Sequence, residues 1–192
     1  MKTNLFLSLI LFNSAVYAAD PQYSISPLPS GPLNIEFARV NDINDSGQIV
    51  GSFKTEGESS HAFISSEVNG NRVMTGLGQL INSISSEAFS INNSGQVVGS
   101  FTIDDPRPEL GQGAFLSHSF IATKTNNGWV MTDLTPEAFR SSAHDINENG
   151  EVAGNIGVEG ESKQNVFVGI ANENGWNVTS TANRKSVTPI ME

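Results

Sequence analysis

The chain has 192 residues, with 20 acidic and 10 basic side chains and a formal charge of −10 at pH 7. That sign argues against nucleic acid as a partner, because an extended phosphate-binding face needs the opposite charge. The absence of cysteine excludes disulfide scaffolds, thiolate metal sites, cysteine nucleophiles and a lipid-modified N-terminal cysteine.

The first element in chain order is a leader. Lys2 supplies a positive start, Leu5 to Phe12 is apolar except for Ser8, and small residues follow from Ser14 to Ala19, interrupted by Tyr17. This is the three-part layout of a secretory signal peptide. The apolar run falls short of the roughly 20 residues of a bilayer-spanning helix. Cleavage after Ala18 places Val16 and Ala18 where small residues are required, so residues 1–18 are assigned as signal peptide. No later segment is apolar enough to span a membrane. The expected product is an acidic protein secreted or held in the periplasm, residues 19–192, forming a single all-β repeat domain.

The repeat begins at the turn Ile43-Asn44-Asp45-Ser46-Gly47 and returns as Ile91-Asn92-Asn93-Ser94-Gly95 and Ile146-Asn147-Glu148-Asn149-Gly150. Successive copies are spaced by 48 and 55 residues. Each is followed by a second block: His61-Ala62-Phe63-Ile64, His118-Ser119-Phe120-Ile121, and Asn165-Val166-Phe167-Val168. Met74, Met131 and Val178 each lie 11 residues after the block's Phe. Between them fall Asn69-Gly70, Asn127-Gly128 and Asn174-Gly175. Agreement at so many offsets sets three units, about 37–79, 86–135 and 141–181.

Each unit reads as two successive hairpins. Asn folds back on its own backbone, and Gly47, Gly95 and Gly150 supply the positive φ of a type I turn followed by a left-handed residue. The flanks are strand-like, the Asn-Gly pairs mark the second hairpin tip, and helical periodicity is absent apart from a short turn near residues 136–140. Tyr23 to Leu28 resembles the last strand of a unit, with Pro27 and Pro29 demoting it to an edge. The expected fold is all-β, three four-stranded antiparallel units like propeller blades. Ordinary propellers use about four to eight blades, so three units leave a β-trefoil or β-prism arrangement, or an open arc, as alternatives.

The sequence Ile-Asn-x-x-Gly-x-Val-x-Gly, followed by His-Ala-Phe-hydrophobic, resembles the bacterial extracellular repeat family named HAF after that tripeptide. The likeness covers roughly Phe37 to Thr181. His61-Ala62-Phe63 is the full tripeptide, His118-Ser119-Phe120 is one change away, and the third unit keeps only Phe167. The resemblance implies export and blade-like β-units. It carries no catalytic residues to transfer.

Candidate sites fall into four groups. Asp42-x-Asn44 and Asp145-x-Asn147 have the oxygen spacing that opens a calcium loop. No acid closes either loop, and Ser90 stands where unit two would need Asp, so turn chemistry is the competing reading. His61 and His118 hold equivalent positions, with Asn165 as the third member, and are expected to brace neighbouring loops rather than meet at a metal. The middle unit carries an insertion of about eight or nine residues around Asp104, Asp105, Arg107 and Glu109. A loop enlarged on a fixed scaffold is a common place for binding specificity. Trp129 and Trp176 follow the second and third Asn-Gly pairs and serve as sugar or protein contacts if exposed, and as core if buried.

There is no Gly-x-Ser-x-Gly elbow, His-Glu-x-x-His helix, Gly-rich phosphate loop or dinucleotide fingerprint. The expected function is therefore an exported, non-catalytic binding or interaction module for a protein or glycan, or for its own copies, without a cofactor. A glycan hydrolase using acids from several loops and a calcium-dependent adhesion module are the alternatives.

Overall fold

The computed structural model describes residues 34–181 apart from 79, 81–82, 107–113, 158, 160–162 and 174. The signal segment 1–18, the strand-like stretch 23–28, Arg107, Glu109 and Asn174 lie outside the described residues.

The chain forms twelve strands in three antiparallel groups of four. Unit one is β1 (Ile35–Ile43), β2 (Ile49–Thr55), β3 (Ser60–Val68) and β4 (Asn71–Gly76). Unit two is β5 (Ser83–Ile91), β6 (Val97–Asp104), β7 (Phe115–Thr125) and β8 (Gly128–Asp133). Unit three is β9 (Arg140–Ile146), β10 (Val152–Gly157), β11 (Gln164–Asn172) and β12 (Gly175–Ser180). Within each group, consecutive strands pair in order. A single parallel bridge, Ser117 to Arg140, joins β7 of unit two to β9 of unit three.

The first hairpin turns are alike. Gly47 N–H donates to Asn44 O at 2.9 Å, and Asn44 N–H donates to Gln48 O at 3.0 Å. The same pair of bonds recurs at Asn92 and Asn147. The three turn glycines have φ of +70°, +77° and +78°, which a side chain would strain.

A second glycine is required for a different reason. β1, β5 and β9 each carry a register shift opposite the second strand. The first strand's backbone is thereby pressed against Gly51, Gly99 and Gly154. A Cβ on Gly99 would lie 2.0 Å from Glu87 O and 2.8 Å from the Phe120 ring. Only glycine permits that approach.

Strand alternation gives each sheet two apolar faces, and the faces pack unit on unit. Val50, Ala62, Ile64 and Leu77 of unit one share a core with Ala88, Ile91, Val97, Phe101, Phe120 and Ala122 of unit two. Val98, Ile121 and Leu134 of unit two share another with Ala143, Ile146, Val152, Phe167 and Val178 of unit three. Phe63, Phe120 and Phe167, the repeated block's aromatic, are among the largest fully buried side chains. Each contributes about 1.5–3 kcal/mol by leaving water. Among the described residues, no strand pairing or apolar core joins unit three back to unit one, so no closed ring is formed.

Candidate functional site

Equivalent turn residues meet one another along the axis of the stack. Asn44 Nδ2 donates to Asn92 O at 3.0 Å, and Asn92 Nδ2 donates to Asn147 O at 3.0 Å. Each Asn also accepts from the N–H four residues on, at Gln48, Gln96 and Glu151. One side chain thus closes its own turn and holds the next unit. The neighbouring position repeats the arrangement: Asp45 N–H donates to Asn93 Oδ1, Asn93 Nδ2 donates to Asp45 Oδ2, and Asn93 N–H faces the Glu148 carboxylate.

Two positions before each Asn, Asp42, Ser90 and Asp145 form a third row. Ser90 Oγ is 2.9 Å from both Asp42 Oδ2 and Asp145 Oδ1. A hydroxyl has one proton, so it donates to one carboxylate at a time. Backbone donors supply the rest: Ile43 and Ile91 N–H to Asp42, and Ile146 N–H to Asp145. The oxygens that a calcium loop would aim at an ion are here aimed at amide N–H groups. The described residues contain no convergent group of three or more His, Asp or Glu suited to a metal.

The two histidines are held differently. His118 is buried, with Nδ1 2.7 Å from Asp133 Oδ2 and its ring edge-on to Phe101 at 5.5 Å. Its Nε2 has no partner among the described residues. His61 is half-buried against Phe53, with ring centroids 6.3 Å apart. It lines a cleft of about 530 Å³ together with Phe53, Glu58, Ser59 and Ile84. Gly76 stands on that cleft where unit two has Asp133. The one acid lining the cleft, Glu58, accepts from Thr55 Oγ1 at 2.6 Å.

Trp129 and Trp176 are partly buried and pack on the two inter-unit cores. Asp104 is exposed and Asp105 half-buried at the base of the insertion, where Asp105 N–H donates to Ala114 O at 2.9 Å.

The feature that sequence reasoning missed lies at the two ends of the stack. On unit one, Val40 and Ile43, which share one face of β1, are 51% and 59% exposed. Val40 and Ile43 occupy the positions of Ala88 and Ile91 in unit two and of Ala143 and Ile146 in unit three, all buried. On unit three, Val166, Val168 and Ile170 are exposed, although Val168 matches the buried Ile64 and Ile121. The internal alignment already contained these equivalences. They become a surface once the first and last units are seen to have, among the described residues, no neighbouring unit on one side.

Compared with known proteins, the chain matches no family model, no curated protein and no solved structure.

Proposed function

We propose that this chain is an exported, non-catalytic interaction module that binds through the uncovered end faces of its β-stack. The observation that carries the reading is the pair of exposed apolar faces, Val40-Ile43 and Val166-Val168-Ile170. Uncovered apolar surface framed by polar residues marks interaction sites on soluble proteins. An acidic residue borders the unit-three face: Asp145 is exposed and pairs across the ladder with Ala153. The leader composition of residues 1–18 supports export, and the likeness to HAF repeats supports the same compartment.

The axial acids and the half-buried histidine offer little for hydrolysis. Asp42 and Asp145 are engaged by Ser90 and amide donors, and the cleft beside His61 has one acid where glycoside cleavage needs two. The test is binding of the mature chain, residues 19–192, to soluble glycan and peptide panels and to itself. Retention that is lost when Val166 and Val168 are replaced by Glu, or when Val40 and Ile43 are, supports the module. A chain that retains nothing and does not self-associate refutes it.

A further inference from the structure

We infer that copies of this chain join head to tail, with the β1 face of one seated on the β10–β11 face of the next. The inference builds on the interaction-module reading and names the partner as a second copy. The internal junctions show which surface fits which. In both of them, the second and third strands of one unit receive the first strand of the following unit. Among the described residues, no strand covers the receiving surface of unit three or the inserting surface of unit one.

The end residues differ from their internal equivalents in a compensating way. At the internal junctions, Val50 shares a core with Ala88, and Val98 with Ala143. At the ends the sizes exchange: the inserting face has Val40 where Ala88 and Ala143 stand, and the receiving face has Ala153 where Val50 and Val98 stand. Two methyl groups gained on one side are lost on the other, so the β1–β10 contact at these positions keeps the volume of an internal one. Swaps that preserve volume are the kind a packed core tolerates. Val168 in place of Ile64 or Ile121 leaves slightly more room.

The axial ladder can also extend. Asn44 and Asn92 each donate Nδ2 to the following unit's Asn carbonyl, whereas among the described residues Asn147 Nδ2 bonds Glu151 alone. A docked copy presents its Asn44 carbonyl at that place. A junction of this type is heterologous, and it either closes into a ring or continues as a filament. Two copies make six units, a number within the usual propeller range of about four to eight.

The test is light scattering and sedimentation on the mature chain over rising concentration. The expected result is a mass that grows to a multiple of the monomer. Val40→Glu and Val168→Glu each abolish self-association, yet a mixture of the two forms a heterodimer, because each variant retains one intact face. The residues are half exposed in the isolated chain, and circular dichroism checks that both variants fold. An independent readout uses the absence of native cysteine: Val40→Cys and Val168→Cys chains cross-link to one another and not to themselves. A monomer at every concentration overturns the inference, as does a dimer that survives either glutamate variant alone or cross-links Val40→Cys to itself. A monomer that still captures a glycan or another protein would remove the second copy as partner and leave the interaction module standing.

Discussion

Asn92→Ala is the sharpest perturbation of the axial ladder. Asn92 is 1% exposed and sits in the only unit with neighbours on both sides. Its side chain accepts from Gln96 N–H at 2.9 Å and donates to Gln96 Oε1 at 2.8 Å and Asn147 O at 3.0 Å. Alanine removes all three bonds and strands the Gln96 amide in a partly buried turn. Three bonds at a net of about 0.5–1.5 kcal/mol each give about 1.5–4.5 kcal/mol. In a chain of this size that corresponds to a fall in Tm of roughly 3–18 °C. Asn147→Ala provides the contrast. Asn147 is exposed, its bonds run to its own turn, and water replaces them, so the cost is below about 1 kcal/mol. Urea unfolding with an unchanged m-value measures both. Equal costs at Asn92 and Asn147 would refute the ladder as the device that fastens unit to unit.

Other substitutions probe the remaining contacts. Gly99→Ala drives a Cβ into Glu87 O and the Phe120 ring and should cost at least about 1–3 kcal/mol; Gly76→Ala, which meets nothing within 4 Å, should stay within about 0.5 kcal/mol. Denaturation midpoints compare the two. Ser90→Asp gives unit two the Asp-x-Asn spacing of the other units and also inserts a third carboxylate between Asp42 and Asp145. The expected outcome is a lower Tm, partly restored by salt, and a calcium-dependent rise above the parent would favour a cation site instead. Head-to-tail docking sets Asp145 and Glu148 of one copy near Asp42 and Asp45 of the next, so association should strengthen as ionic strength rises. Sedimentation at low and high salt reads this, and weakening with salt would contradict that register.

Much of the fold was legible because turn chemistry is local. Asn44-x-x-Gly47 and its two copies specify the same bend from adjacent residues alone, and the spacing of Phe63, Phe120 and Phe167 marks the buried third strand. Gly51, Gly99 and Gly154 were visible as a repeated letter without a reason. The reason is a carbonyl on another strand, brought close by a shift in register that no local pattern encodes. The axial asparagines were half legible: turn closure by the side-chain oxygen is a short-range property, whereas donation by Nδ2 to a residue 48 or 55 positions away depends on how units stack. Calcium-like spacing at Asp42 and Asp145 is ambiguous for the same reason, since it fixes where oxygens are but not which N–H groups they also accept from. His61 and His118 look equivalent in sequence and diverge because Asp133 in unit two is Gly76 in unit one, a difference on a neighbouring strand.

Contacts in this molecule run from each position to its own equivalent in the next unit, so the end units have half of their partners missing. Repeat arrays usually answer this with terminal units that carry a polar outer face. Some positions here follow that rule. Leu77 and Leu134 are buried at the junctions, and unit three has Thr181. Gln48 and Gln96 lie over the next unit's glycine, and unit three ends in Glu151. Yet Val40, Ile43, Val166 and Val168 remain apolar and exposed at the centres of the same two faces. A cap would replace these first, because they cost most in water. A polar edge around a retained apolar centre has the anatomy of a reversible interface, with a core that buries and a rim that stays wet. The surviving valines and isoleucine therefore point to a face that is covered by contact rather than one adapted to solvent.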